Sequence, residues 1–533
     1  MRRIGSRLRG DGSGRRPLSL MAAVALAAAA ALASCSGGSS PSSDSTPLPV
    51  GSPTTLKVME FNIEYGGTQV SFAKVAAAVK AADPDVVGIE EAETNTVRLA
   101  RAVGFTYADP GMQIISRYPI LEPSGAGGAY ALIEVQPGKA VALTNVHLPS
   151  APYSPWYMVT KGWGARQVVK LERRVRLPAI AGQLDVLPAL ARRGMPVFLV
   201  GDFNSASSLD YTQAAVGSRS EVKEPIDWPV SHALLAAGFR DSYREAHPDP
   251  VAVPGLTWPA VRPKVSGWNP NKASGEDRID FIYVAGAAGT VASTIVGENG
   301  ARDVTTSVSP WPSDHRAVLS TFRVRPAALP VMVAVDAPLV STGTPIRVTY
   351  RRPASGGCSV ALVPIPAATA VSPSPVATSP ATATDGVVSF ATDALAPGAY
   401  EVVLKDASST LARTPVWVKA AGAGVRLTTD RTTYTSGQPI TVSWQDAPAN
   451  RWDWIGVYKA SAADPNVDYY LVWQYTGGAM AGTVHGLPAG SMTMTKDTVE
   501  GSPWPLPPGR YVVYYLLADA YRQVAMAHFT VTK

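Results

Sequence analysis

Apolar and polar positions follow two textures along the chain. From Leu56 to about Val324, runs such as "LKVMEFNI", "DVVGIEE", "YALIEV", "AVALTNVHL", "VFLVGDFN", "RIDFIYV" and "AVLSTFRV" are short, apolar and rich in β-branched residues, the pattern of buried strands. Between them "SFAKVAAAVKAA", "ARQVVKLERRVRL", "AIAGQLDVLPALARR" and "SHALLAAGF" carry helical spacing, the first with Ser71 placed to cap it. Strands alternating with helices predict an α/β layered domain over residues 56–325. After "RPAALP" the helical spacing disappears. Short alternating runs between turn residues then predict two β-sandwich modules, 331–419 and 425–533. These carry a diverged repeat, with "STGTPIRVTY" and "LAPGAYEVVL" answered by "TSGQPITVSW" and "LPPGRYVVYYL". The low-complexity stretch "AATAVSPSPVATSPATATDG" is expected to be a mobile loop.

Composition narrows the class. With 533 residues, 46% hydrophobic and 17% charged, the chain can bury large cores, and 46 Gly and 46 Pro call for many turns. At the N-terminus Arg2, Arg3, Arg7, Arg9, Arg15 and Arg16 precede "LSLMAAVALAAAAALAS", too short and Ala-rich for a membrane span and built like an export signal. It ends in "LASC", which resembles a bacterial lipobox and makes residues 1–35 a lipoprotein signal with Cys35 as the lipid anchor. The alternative is an ordinary signal in which Cys35 is incidental and the protein is secreted. Residues 36–55, rich in Ser, Gly and Pro, read as a tether between the extracellular face of the membrane and a folded domain. Removing the six Arg and one Asp of the signal takes the net +6 down to about +1, so global charge does not argue for nucleic acid. With Cys35 lipidated, Cys358 has no partner for a disulfide.

Polar residues close the apolar runs. Asn62 ends "VMEFN", Glu91 ends "DVVGIEE", Asn145 and His147 lie in "LTNVHLPS", Asp202 and Asn204 in "GDFN", Asp280 in "DRIDF", and Asp314 and His315 in "SDHRAV". If the strands lie side by side, these groups share one rim. So many buried carboxylates repel unless some stay protonated or a cation neutralises them. Oxygen donors with few histidines suit Mg²⁺ or Mn²⁺ better than zinc. Alone, any one of these residues is as readily a turn or cap residue.

The ordered set "EFN", "IEE", "NVHL", "GDFN", "RIDF" and "SDH" resembles the endonuclease/exonuclease/phosphatase superfamily over roughly half the chain. That resemblance implies a layered α/β/β/α sandwich of two mixed sheets. It implies Asn62, Glu91 and Asp314 as metal residues, with Asp314 alternatively an orienter. It further implies Asp202 as the base that positions and deprotonates water, with Asn204 orienting that water or the phosphate. His315, backed by Asp280, stabilises the transition state or protonates the leaving oxygen, and His147 donates to a phosphate oxygen. Glu90 stands where the family usually has Gln, which adds a negative charge beside the metal ligand. Arg117 in "IISRYPI" contacts phosphate or forms a structural salt bridge.

Other features point less directly. Tyr153, Trp156 and Tyr157 follow His147 and could stack a base, meet lipid or cover a core edge. Arg166, Lys170 and Arg173 form a basic stripe for a phosphate backbone or anionic headgroups, or a solvated helix face. In the last module "NRWDWIGVYKA" resembles an immunoglobulin-like or SKICH-like signature, with Trp452 and Trp454 on one sheet face for core packing, or for docking a surface, glycan or protein. His232, His247, His485 and His528 belong to no motif. The expected activity is phosphodiester hydrolysis by a nuclease on extracellular nucleic acid. A sphingomyelinase-like phospholipase C or a phosphomonoesterase is the alternative, and an inactive surface adhesion or scaffold protein is the alternative of another class.

Overall fold

The computed structural model describes residues 47–266, 269–270, 275–365, 374–462, 464–465, 468–478, 486–501 and 503–533. The expected signal, most of the tether, the anchor Cys35 and His485 lie outside the described residues. Two mixed sheets form the first half. One runs in the order Val304–Ser307, Ala288–Gly297, Ala317–Val324, Thr54–Asn62, Val86–Glu90, Ile114–Ser116, Tyr107–Asp109. The other runs Ile120–Leu121, Ala131–Gln136, Lys139–His147, Val197–Asp202, Asp280–Ala285, Arg240–Asp241.

Three apolar layers hold these sheets. Between them lies a core of Leu56, Val58, Val86, Val318 and Phe322 from one sheet and Val141, Leu143, Phe198, Val200 and Ile282 from the other. Helices Phe72–Ala82 and Thr96–Val103 cover the outer face of the first sheet through Val75, Val79 and Leu99. On the outer face of the second, Leu187 and Leu234 of helices Ala181–Arg192 and Pro229–Ala236 pack. The result is the expected α/β/β/α sandwich. Ser71 precedes its helix in an extended conformation, but its side chain caps nothing, so packing rather than capping fixes that helix start.

Both later modules are all-β, and the repeat is structural. Each pairs a three-stranded sheet with a larger one. Met332–Val335, Ile346–Arg351 and Asp385–Phe390 in the first module correspond to Arg426–Thr429, Ile440–Gln445 and Gly490–Met494 in the second. In both, a short strand pairs in parallel with the last long one, Leu339–Ser341 on Thr410–Lys419 and Thr433–Thr435 on Gln523–Thr532. The low-complexity stretch departs from expectation. Its described part includes strand Ala377–Ala381, paired antiparallel with Cys358–Leu362, and the start of strand Asp385–Phe390. Alternating Val, Thr and Ala suit a pleated surface despite the prolines. Cys358 is a free thiol.

Candidate active site

Strand direction gathers the polar ends. Thr54–Asn62 and Val86–Glu90 run parallel, with Asn62 beside Glu90. In the other sheet Lys139–His147 and Val197–Asp202 run parallel, with His147 beside Asp202, and Asp280 enters its antiparallel strand opposite Asp202. One rim therefore receives the C-terminal ends of four strands and the N-terminal ends of two others, those of Asp280 and Ala317. Gly201 makes the close approach possible: its φ is 144°, and a Cβ there would lie 1.9 Å from the Val146 carbonyl oxygen. Asn145 stitches the sheets, donating from Nδ2 to the Ile89 carbonyl at 2.8 Å.

Asp202 is the hub. The Asn62 and Asn204 amides donate to its Oδ2 at 3.1 and 3.0 Å, and the Asn204 N–H donates to Oδ1 at 2.8 Å. His147 Nε2 and His315 Nε2 approach the same Oδ2 at 3.6 and 3.7 Å. Behind each imidazole stands another carboxylate. Asp280 lies 3.0 Å from His315 Nδ1, and Asp519 lies 3.7 Å from His147 Nδ1. Glu91 joins through Asn62 Nδ2, which donates to it at 3.3 Å, and through the Tyr65 N–H at 2.9 Å. Both Glu91 and Asn204 hold left-handed backbone, φ 52° and 47°, a cost that clusters at functional positions.

Asn62, Glu91, His147, Asp202, Asn204, Asp280 and His315 thus converge. Asp314 sits one step aside: its Oδ2 accepts from Trp258 Nε1 at 3.2 Å and its N–H donates to Glu64 at 3.1 Å. Asp202, Asp280 and His315 bring ligand atoms within 4.8 Å of one another, a spacing one cation can bridge. This buried, carboxylate-rich donor set suits a hard divalent ion.

Burial dominates the electrostatics. It pushes Asp202 up to about 6, against the lowering pull of His315. For His315 burial pulls downward, but Asp280 and Asp202 outweigh it and hold the ring well above its ordinary value. His147 is likewise opposed by burial, and Asp519, Asp202 and Glu91 raise it to about 10. The facing carboxylates thus bias both imidazoles toward the protonated form.

Glu90 corrects a sequence expectation. Instead of adding charge beside the metal ligand, it lies buried against Glu60, with which it can share a proton. Burial, with Asp202 and Asp280 adding, takes Glu90 up to about 8, so near pH 7 it is mostly neutral like the Gln it replaces. A carboxyl raised in the fold contributes stability below its unfolded pKa and loses it as pH rises through the folded one. Glu90→Gln is therefore expected to flatten the fall in Tm between about pH 5 and 9, measured by differential scanning fluorimetry.

Other candidates sort by geometry. Arg117 donates to Asp83 at 2.5 Å and to the Pro84 carbonyl at 3.0 Å, a structural salt bridge. Arg166, Lys170 and Arg173 point to solvent from helix Ala165–Ala179. Tyr153 supports the site, its hydroxyl donating to Asp277 at 2.8 Å and its ring set edge-on to Trp258. Trp156 and Tyr157 instead form an outer cluster with Trp163 and Lys161. Trp452 and Trp454 are buried in the last module.

Sequence reasoning missed three supports. Arg278 donates to Asp210 and Asp241 from within "DRID", where a charged residue two positions before Asp280 was the available signal. Glu64 pairs with Arg262, two charges that no motif links. Asp519 lies in another module and left no local signal.

Residues 59–315 match the sequence model described as the Endonuclease/Exonuclease/phosphatase family. An uncharacterized protein of Caenorhabditis elegans is 28% identical over 292 residues, which cover 50% of this chain and 91% of that protein. Among solved structures, zebrafish (D. rerio) TDP2 complexed with single strand DNA product is 17% identical, covering 50% of this chain and 99% of that one at a TM-score of 0.29. An endonuclease/exonuclease/phosphatase family protein from Bacteroides thetaiotaomicron is 14% identical, with 51% and 96% coverage and a TM-score of 0.29. Residues 59–315 form a domain of the endonuclease/exonuclease/phosphatase family, which makes the protein a metal-dependent hydrolase of phosphoester bonds.

Proposed function

We propose that the protein hydrolyses phosphodiesters outside the cell, with nucleic acid as the favoured substrate. The observation that carries this reading is one carboxylate, Asp202, faced by two carboxylate-backed imidazoles, His147 and His315. Glu91 and Asn62 are the residues that would hold Mg²⁺ or Mn²⁺, with Asp314 beside them, which leaves Asp202, Asp280 and His315 for proton transfer. When bound, that ion supplies positive charge against the phosphate oxygens.

The side chains do the rest. Asp202 accepts the proton of the attacking water, held in place by the amides of Asn62 and Asn204. His315, oriented by Asp280, donates from Nε2 to the leaving oxygen as the P–O bond breaks, and His147 donates to a non-bridging oxygen.

A phospholipase C reading is favoured by one feature, the outer aromatic cluster in which Tyr157 stacks on Trp163 at 4.5 Å and Trp156 is 39% exposed. Plasmid DNA, RNA, sphingomyelin vesicles and a phosphomonoester assayed side by side separate the readings. Cleavage of sphingomyelin but neither nucleic acid would replace the nuclease reading, and turnover of none would favour the scaffold reading. Anchoring at Cys35 is part of the same proposal, supported by the "LASC" sequence. Cys35→Ser is expected to move the protein from membranes to the medium, and retention in membranes would contradict acylation.

A further inference from the structure

The last module reaches into the site. Asp519 is half-buried, its Oδ2 3.7 Å from His147 Nδ1, while the Tyr475 hydroxyl donates to its Oδ1 at 2.5 Å. We propose that this module is a working part of the active site, with Asp519 a positioning residue that orients His147 as Asp280 orients His315. The inference rests on the phosphodiesterase reading for its catalytic consequence, but not for its structural one.

Three independent observations support it. First, the loop carrying Asp519 is built to hold a costly shape. Ala518 and Asp519 take left-handed φ values of 50° and 62°, which side-chain-bearing residues adopt only when held. The holding groups come from "NRWDW": Asp453 accepts from the Ala518 N–H at 3.0 Å, the Trp452 carbonyl from the Asp519 N–H at 2.8 Å, and Trp454 Nε1 donates to the Ala520 carbonyl at 3.1 Å. The signature that reads as a core motif therefore shapes the loop that faces the site.

Second, the module is clamped to the strand that presents His147. Arg451, fully buried, donates from Nη1 to the Asn145 carbonyl at 2.8 Å, and its N–H donates to the Gly111 carbonyl at 3.3 Å. A buried guanidinium is expensive to desolvate and holds only a well-defined seam. Third, the two imidazoles are arranged alike, each with Nε2 toward Asp202 and Nδ1 toward a carboxylate, and only the His147 carboxylate comes from outside the first domain. A carboxylate at Nδ1 fixes ring orientation and favours the form that donates from Nε2.

The test uses the full chain. Asp519→Ala and Asp519→Asn are expected to lower kcat on bis-p-nitrophenyl phosphate by about ten-fold or more with KM within two-fold, and Asp519→Glu to recover part of the loss. Tyr475→Phe, which keeps the fold and removes one restraint on Asp519, is expected to give a smaller loss in kcat alone. Side-chain ¹⁵N shifts of His147, assigned with His147→Gln, should move in Asp519→Ala at neutral pH. Wild-type kcat in both Asp519→Ala and Asp519→Asn, or unmoved His147 nitrogens, would overturn the inference. If the wild type hydrolyses no phosphoester, the functional reading fails while the nitrogen shifts still decide the role of Asp519.

Discussion

Asp202→Asn is expected to reduce turnover by about three orders of magnitude or more while leaving Tm within about 3 °C of wild type. Asp202 is the point where both sheets and both imidazoles meet, and an amide there can accept no proton from water. The effect on stability is small because two terms oppose. The variant keeps one carbonyl acceptor but replaces the other oxygen with an NH₂, so it cannot serve both the Asn62 and Asn204 amides at Oδ2 and the Asn204 N–H at Oδ1. It also removes a buried carboxylate that burial has raised to about 6. A carboxyl raised in this way contributes stability below its unfolded pKa and costs stability above its folded one, so at pH 7.5 its removal compensates. Steady-state kinetics and calorimetry on the same preparation check both halves. A loss of more than about 10 °C would make Asp202 structural rather than chemical.

Arg278→Ala is expected to cost about 3–5 kcal/mol, the largest stability effect in the first domain. Its guanidinium is 2% exposed and donates to Asp210 Oδ2 at 3.0 Å and Asp241 Oδ2 at 2.7 Å. Removing it leaves Asp210 with the Arg244 guanidinium at 2.6 Å, and Asp241 with backbone N–H donors from Tyr243 and Arg244 but no cation. Asp241 also caps helix Ser242–Ala246 by accepting from Tyr243 and Arg244 N–H groups, so its strain spreads to that helix. Catalysis should fall too, because Arg278 fixes the segment that places Asp280 behind His315. Arg278→Lys is expected to recover little, since one ammonium cannot match a guanidinium that bonds two carboxylates at once. Denaturant unfolding checks the prediction, and an unchanged midpoint would show that Asp210 and Asp241 need no cation there.

Most of the first domain was legible because its signals are local. A strand that ends on Asp202 or Asn62 announces both its own extent and the group it presents, and alternation with helices fixed the layering. Glu90 was misread because its charge state depends on the opposite sheet closing over it, which no neighbour in sequence reports. The strand Ala377–Ala381 was hidden by prolines, since its pairing with Cys358–Leu362 is set by a partner rather than by propensity. Asp519 was invisible for the same reason on a larger scale. Its role is created by the seam at Arg451 and Asn145, a contact between modules.

A metal-dependent phosphodiesterase site formed by converging strand ends is tested most directly by hydrolysis of bis-p-nitrophenyl phosphate by metal-stripped protein before and after addition of Mg²⁺ or Mn²⁺, with Asp202→Asn measured in parallel as the background. Activity that appears only with the ion, and only in the wild type, is the predicted result. Hydrolysis that persists without the ion, or that is equal in Asp202→Asn, would contradict it.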